Sequence, residues 1–352
     1  MEMHSDSHYM RRCLELAEKG GGAVAPNPMV GAVLVYNGQI IGEGFHKKYG
    51  EAHAEVNCIA DASKTNAHKI SNSTLYVSLE PCAHFGKTPP CTQLILQKKI
   101  PRVVIGCRDS YEEVNGSGIE RLQSAGVEVV VGIQEKESLE LNKRFFCFHK
   151  KKRPYVVLKW AQTADGFLTA NTQHRLLISN EITNRLVHKW RSGETAILAG
   201  ANTLLKDDPL LDNRWWYGPP PVKIVMDPVL QLPKELKIFK THSKILVLNQ
   251  LVEKTEGAVQ YLKVEGGEFL SASLRRLYEM NIMGLFVEGG RKTLQSFVEL
   301  DVWDEAKVIT NRKLFVFQGI EAPRLSFSRI TGEEDVLTDH VQYFENMGET
   351  IT

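Results

Sequence analysis

The spacing of apolar and polar residues changes period several times along the chain, and each change predicts an element. Residues 10–19 repeat apolar side chains at helical spacing. Residues 30–36 and 40–44 then read as two strands joined across Asn37-Gly38, a strong hairpin turn. A helix at about 53–64, a strand at 75–78 and a helix opening near Cys91 follow. A strand at 103–106, a helix near 118–125 and a strand at 127–131 complete the first half. Alternation of this kind predicts a three-layer α/β/α sandwich around a mostly parallel sheet, opened by one antiparallel hairpin.

After Pro154 the alternation resumes, with strands at 155–160, 195–198, 222–226 and 244–248 and helices at about 181–190 and 270–280. A strand at 284–287 runs through Glu288-Gly-Gly290 into a helix at 293–300, and late strands fall at 306–310 and 341–344. Between the halves lies His149-Lys-Lys-Lys-Arg-Pro154, a charge run closed by a proline, which reads as a solvated linker rather than a nucleic-acid patch. Two α/β domains are expected, 1–150 and 151–352. A length of 352 residues fits that division.

Composition narrows the partners. At 43% apolar and 24% charged residues the chain is neither disordered nor fibrous. Its net charge of +1 leaves no global footprint for nucleic acid or an anionic membrane, so a charged ligand must be met by local clusters. No apolar run approaches the roughly 18 residues of a membrane span. The opening Met1-Glu-Met-His-Ser-Asp-Ser-His8 lacks the cationic end and apolar stretch of a signal peptide. Six cysteines are too few for a disulfide scaffold. A cytoplasmic setting is expected, where neighbouring Cys and His more often hold metal.

That chemistry has a candidate in His53-Ala-Glu55, Glu80-Pro-Cys82 and Cys91. A borderline ion such as Zn²⁺ takes imidazole and thiolate readily. Three ligands, His53, Cys82 and Cys91, leave the fourth position open to water, as in catalytic sites. Glu55 is then placed to take a proton from that water, give one to a ring nitrogen under attack, and give another to departing ammonia. This is the arrangement of zinc nucleobase deaminases, although eight residues rather than two separate these cysteines. Cys13, Cys58, Cys107 and Cys147 read as small core residues, and His46 and His84 as substituted ligands or as substrate or solvent contacts.

Pro26-Asn-Pro-Met-Val-Gly31, Gly42-Glu-Gly-Phe-His46, Gly50-Glu-Ala-His-Ala-Glu55 and Leu79-Glu-Pro-Cys-Ala-His-Phe-Gly-Lys-Thr-Pro-Pro-Cys91 closely resemble the bifunctional deaminase–reductases of riboflavin biosynthesis. The resemblance spans nearly the whole chain. It implies an N-terminal cytidine deaminase-like domain that removes the C2 amino group of 2,5-diamino-6-ribosylamino-4(3H)-pyrimidinone 5′-phosphate. It also implies a dihydrofolate reductase-like domain that uses NADPH to reduce the ribosyl side chain to ribityl. On it, His53, Cys82 and Cys91 are the zinc ligands, Glu55 shuttles the proton and Asn27 contacts substrate, or serves as a turn residue between Pro26 and Pro28.

In the second half the family's opening strand matches Lys159-Trp-Ala161 through Asp165-Gly166, and its cofactor loop matches Ala199-Gly-Ala-Asn-Thr203 through Asp207-Asp-Pro209. The resemblance puts Ala161, Leu177, Thr203, Asp207 and Gly290 on cofactor, and Arg175, Arg191, Leu211, Arg214 and Glu288 on substrate. Ala170-Asn-Thr-Gln-His-Arg175 replaces a serine- and glycine-containing loop, and Leu177 stands where an aromatic is common. Lys159 and Asp207 are both open to protonating the opened sugar. A homodimer through the reductase domain is expected. Two other readings carry the same motifs: a nucleic-acid base deaminase with an accessory or decayed reductase-like domain, and a regulatory binding module. The neutral charge speaks against the first, and the intact metal and proton-shuttle residues against the second.

Overall fold

Asn37 and Gly38 both take left-handed backbone angles, φ 48° and 77°, which a two-residue turn matching strand twist requires. They join β1 (Gly31–Tyr36) to β2 (Gln39–Phe45) as an antiparallel hairpin. The computed structural model in which this is seen describes residues 5–85, 89–109, 116–170 and 176–348, and the chain divides into two compact units, 1–152 and 153–352.

In the first unit the hairpin forms one edge of a five-stranded sheet of order β2-β1-β3-β4-β5, with β3 at Thr74–Leu79, β4 at Arg102–Cys107 and β5 at Glu128–Val131. β3, β4 and β5 pair in parallel, but β1 pairs β3 antiparallel. The expectation of a mostly parallel sheet is corrected: half its pairings are antiparallel. The cause is topological. The crossover through a helix makes β3 parallel to β2, and β1 lies between them.

Alternate residues face opposite layers. Ala32, Leu34, Leu75, Val77, Val103 and Ile105 pack with α2 (Ala54–Thr65), α3 (Cys91–Gln97) and α4 (Ser117–Ser124), while Val33, Val35, Tyr76 and Val104 pack with α1 (Asp6–Glu18). Gly42 and Gly44 let α2 lie directly on β2, since a Cβ at Gly44 would sit 2.2 Å from the Cys58 nitrogen. The unit ends in α5 (Glu135–Leu141) and α6 (Lys143–Lys151). Half of the charge run read as a linker, 149–151, is thus the last turn of α6, which buries Phe145, Cys147 and Phe148. Charge at the end of the helix had masked the apolar residues before it.

The second unit follows as β6 (Tyr155–Thr163), β7 (Phe167–Ala170), α7 (Glu181–Ser192), β8 (Ala196–Gly200), α8 (Ala201–Asp207), β9 (Val222–Met226) and β10 (Ile245–Asn249). Then come β11 (Lys254–Glu256), β12 (Val259–Lys263), α9 (Phe269–Glu279), β13 (Gly284–Glu288), α10 (Arg291–Glu299), β14 (Glu305–Asn311), β15 (Gly319–Glu321), β16 (Ser328–Val336) and β17 (Asp339–Asn346). Ten of these strands form one sheet in the order β11-β12-β10-β9-β8-β13-β6-β14-β17-β16. From β12 to β14 it is parallel, and β11 and the β16–β17 hairpin close its ends antiparallel. β7 and β15 pair separately as a two-stranded ribbon. Carboxyl ends of parallel strands are where open α/β sheets bind ligands, and there the second unit carries its cavity.

Candidate active sites

In the first unit, His53 takes an extended conformation as the residue that opens α2, and Cys91 begins α3. The segment after β3 brings Cys82 between them. The Cys82 sulfur lies 3.7 Å and the Cys91 sulfur 3.4 Å from His53 Nδ1. Tetrahedral zinc bonds of about 2.3 Å to sulfur and about 2.1 Å to nitrogen put such donors about 3.6 Å apart. The three donor atoms therefore fit one ion. Among the described residues they are the cluster able to hold one; His84 is exposed, and both ring nitrogens of His46, whose ring packs edge-on against His53, are taken by Asn27 and the Ala52 carbonyl.

Charge around the triangle suits a cation. The Cys91 backbone N–H donates to the Cys82 sulfur at 3.3 Å, and the hydroxyl and N–H of Thr92 hold the Cys82 carbonyl. A hydrogen bond from Cys91, opposed by burial and aided by His53, draws the Cys82 thiol well below its ordinary value, which favours the thiolate a metal takes. Glu55 is buried in the first turn of α2, and a side-chain hydrogen bond links it to Cys91. Burial, with the Cys82 charge adding to it, pushes its carboxyl up to about 7. A carboxyl poised there both gives and takes protons near neutrality.

Asn27 is half-buried beside this centre, with its Nδ2 3.1 Å from His46 Nε2. His46 Nδ1 lies 3.1 Å from the Ala52 carbonyl, so Nδ1 carries the proton and Nε2 accepts from the Asn27 amide. The amide is thereby fixed with Oδ1 as the group left to meet a ligand. The sequence reading had no partner for His46, because the hydrogen bonds to Asn27 and Ala52 depend on the fold.

Glu80 lies two residues before Cys82. It is buried, and its carboxylate accepts four backbone N–H groups: Gly118 at 2.9 Å, Asp109 and Gly116 at 3.2 Å, and Ile119 at 3.3 Å. It thus fastens the start of α4 to the segment that carries Cys82. Gly118 permits this contact, since a Cβ there would lie 2.1 Å from the Pro81 carbonyl oxygen.

In the second unit a cavity of about 330 Å³ is lined by Ala161, Leu177, Thr203, Asp207 and Gly290, and by Arg191, Leu211 and Glu288. Eight of the ten residues expected on cofactor or substrate in this half therefore meet around one space. Arg214 is not among them: it pairs with Asp212 and stacks its guanidinium 4.9 Å from the Trp215 ring centre. Arg175 lies outside the described residues. The lining also holds Lys159, Lys206 and Arg291, giving four cations against two carboxylates, which favours an anionic ligand.

Gly289-Gly290 ends β13 and opens α10, with the Gly290 N–H on the Thr203 hydroxyl at 2.8 Å. Backbone without side chains at a helix start suits a phosphate of the cofactor. Arg191 grips Glu288 through two bonds, 2.6 Å from Nε and 2.9 Å from Nη2, and its Nη1 donates to the Asp212 carbonyl at 2.7 Å. Lys159 Nζ lies 3.6 Å from Glu288. Burial alone would raise the Glu288 carboxyl, but Arg191 and Lys159 outweigh it and hold it at about 2. The two residues assigned separately to substrate are thus each other's partners.

The sandwich with its His/Cys₂ centre and the parallel-sheet unit with its glycine-floored cavity define a two-part enzyme, a zinc-type deaminase joined to a nucleotide-dependent reductase. Residues 3–107 match the cytidine and deoxycytidylate deaminase zinc-binding region, and residues 154–315 the RibD C-terminal domain. The chain belongs to the RibD family of bifunctional riboflavin biosynthesis enzymes. It is 40% identical to riboflavin biosynthesis protein RibD of Aquifex aeolicus, over 98% of this chain and 97% of that one. It is 34% identical to the Synechocystis RibD, over 97% and 94%. The crystal structure of a diaminohydroxyphosphoribosylaminopyrimidine deaminase/5-amino-6-(5-phosphoribosylamino)uracil reductase from Thermotoga maritima superposes with a TM-score of 0.89 at 34% identity, covering 98% and 100%.

Proposed function

We propose that this chain deaminates 2,5-diamino-6-ribosylamino-4(3H)-pyrimidinone 5′-phosphate in its first unit and reduces the product's ribosyl side chain in its second. The observation that carries the reading is the triangle of His53, Cys82 and Cys91 with the buried Glu55 beside it. A zinc ion held there supplies Lewis-acid activation of the attacking water. Glu55 accepts one water proton at its carboxylate and delivers it to the ring nitrogen. It then takes the second proton from the hydroxyl added at C2 as that becomes the carbonyl and gives it to the departing amino group, which leaves as ammonia with Glu55 again a carboxylate. Asn27, its amide fixed by His46, accepts a hydrogen bond from the ring substituent and holds the pyrimidine in place.

In the second unit NADPH supplies the hydride. Gly290 and Thr203 seat its phosphates, and Ala161, Leu177 and Asp207 complete the cofactor side. Arg191, Leu211 and Glu288 line the substrate side. Lys159, charged beside Glu288, faces the cavity as a proton donor for the opened sugar. The reading includes a homodimer through this unit, supported by β16 standing as an edge strand whose outer backbone groups have no strand partner among the described residues. It also includes a cytoplasmic setting, supported by six cysteines of which none is joined in a disulfide. Among the described residues, no helix is long and apolar enough to cross a membrane.

The test follows ammonia and NADPH absorbance while the purified chain turns over the diaminopyrimidine phosphate. Glu55→Gln should retain zinc and lower ammonia release by at least about 10²-fold, while NADPH oxidation on pre-deaminated substrate continues. Loss of both activities together would refute two separable sites.

A further inference from the structure

Three residues in the cavity wall, Leu168 and Thr169 of β7 and Ile320 of β15, belong to neither large sheet. β7 has four residues and β15 three, and their register is broken by a bulge at Ile320/Glu321. A two-stranded ribbon this short does not hold its own shape in water. Something else must place it.

One carboxylate ties its ends together. Asp165 stands in the turn between β6 and β7, where Gly166 takes a left-handed φ of 83°. Its Oδ1 accepts the Thr163 hydroxyl at 2.6 Å, and its Oδ2 accepts the backbone N–H groups of Phe317 at 2.7 Å and Val316 at 3.2 Å. Those two residues lead directly into β15. The Thr163 oxygen in turn accepts the Phe167 N–H at 3.0 Å, at the start of β7. Against a desolvation that pushes it up, the bonds from Thr163, Phe317 and Val316 hold the Asp165 carboxyl below its ordinary value. Asp165 is absent from the cavity lining among the described residues, so it acts through the strands it fastens.

We propose that Asp165 is a positioning residue for the reductase reaction, its carboxylate clamping the β7–β15 ribbon so that the NADPH cavity is formed before cofactor arrives. The inference rests on the assignment of this cavity to NADPH. Without the clamp, Leu168, Thr169 and Ile320 leave the wall, and binding must order them at its own expense. Affinity then falls, while hydride transfer within the bound complex is little changed.

The test uses the full chain. NADPH affinity is read from protein fluorescence quenching, reductase KM and kcat from NADPH oxidation on deaminated substrate, and deamination from ammonia release. Asp165→Ala should raise both the NADPH dissociation constant and KM about tenfold, keep kcat within about threefold, and leave ammonia release unchanged. Asp165→Asn, whose amide oxygen still accepts the two N–H groups and whose NH₂ can donate to Thr163, should return affinity to within about threefold of wild type. An unchanged dissociation constant in Asp165→Ala overturns the inference, even if its melting temperature falls. So does an Asn variant as weak as the Ala one, or a loss in kcat with KM unmoved. A wild-type chain that fails to bind NADPH overturns the cavity assignment itself.

Discussion

Glu288 is buried between two cationic neighbours, Arg191 and Lys159, and its protonation state is a matter of stability as well as binding. Its folded-state value of about 2 lies below the ordinary carboxylate range. The stabilisation it brings is therefore complete above about pH 4.5 and is lost as pH falls toward 2. Urea unfolding of the second unit, followed from pH 6 to pH 2.5, should show wild type more stable than Glu288→Gln at the upper end, with the gap narrowing on acidification. A constant gap would mean that the carboxylate is not charged in the fold. At this scale the first unit was the more legible. Zinc ligation and proton transfer demand His, Cys and Glu at helix starts, and residue types so constrained stand out in a sequence. The pairing of Arg191 with Glu288 did not stand out, because 97 positions separate them and any surface arginine looks the same.

An element's position often hangs on one buried polar group, and Glu80 does this for α4. Glu80→Gln preserves shape but replaces one acceptor oxygen by an NH₂ that must face backbone donors. Two N–H groups then lose their partner, for a cost of about 2 kcal/mol or more in stability. Cys82 is two residues away, so the variant should also surrender zinc to a chelator faster than wild type. Unchanged thermal unfolding together with unchanged zinc release would contradict the role given to Glu80. The elements readable in advance were those with a clear period, such as β1 to β5 and α7. β16 was missed because most of its side chains are exposed and no alternation marks it, and β11 because all three of its residues are exposed. α8 and β15 were missed because pieces of seven and three residues are too short to show a period.

Across the whole chain the net charge is +1, while the reductase cavity alone is lined by four cations and two carboxylates. Two α/β units were legible from the alternation of patterns, and their chemistry from local motifs. The place where one unit gives way to the next was read as loose chain, because a run of lysines looks solvated whatever precedes it.

Arg153 opens the second unit, is buried, and binds both oxygens of the equally buried Asp304, at 2.6 and 2.9 Å. Anyone dividing the gene to obtain a stand-alone reductase has little freedom over where to cut. A fragment beginning at Arg153 keeps the guanidinium, whereas one beginning at Pro154 leaves the buried Asp304 carboxylate without it, a loss of about 3–5 kcal/mol. The longer fragment should be recovered soluble with a melting temperature well above that of the shorter. Equal yields and equal melting points would mean that the reductase begins, as a free-standing catalyst, somewhere further along the chain.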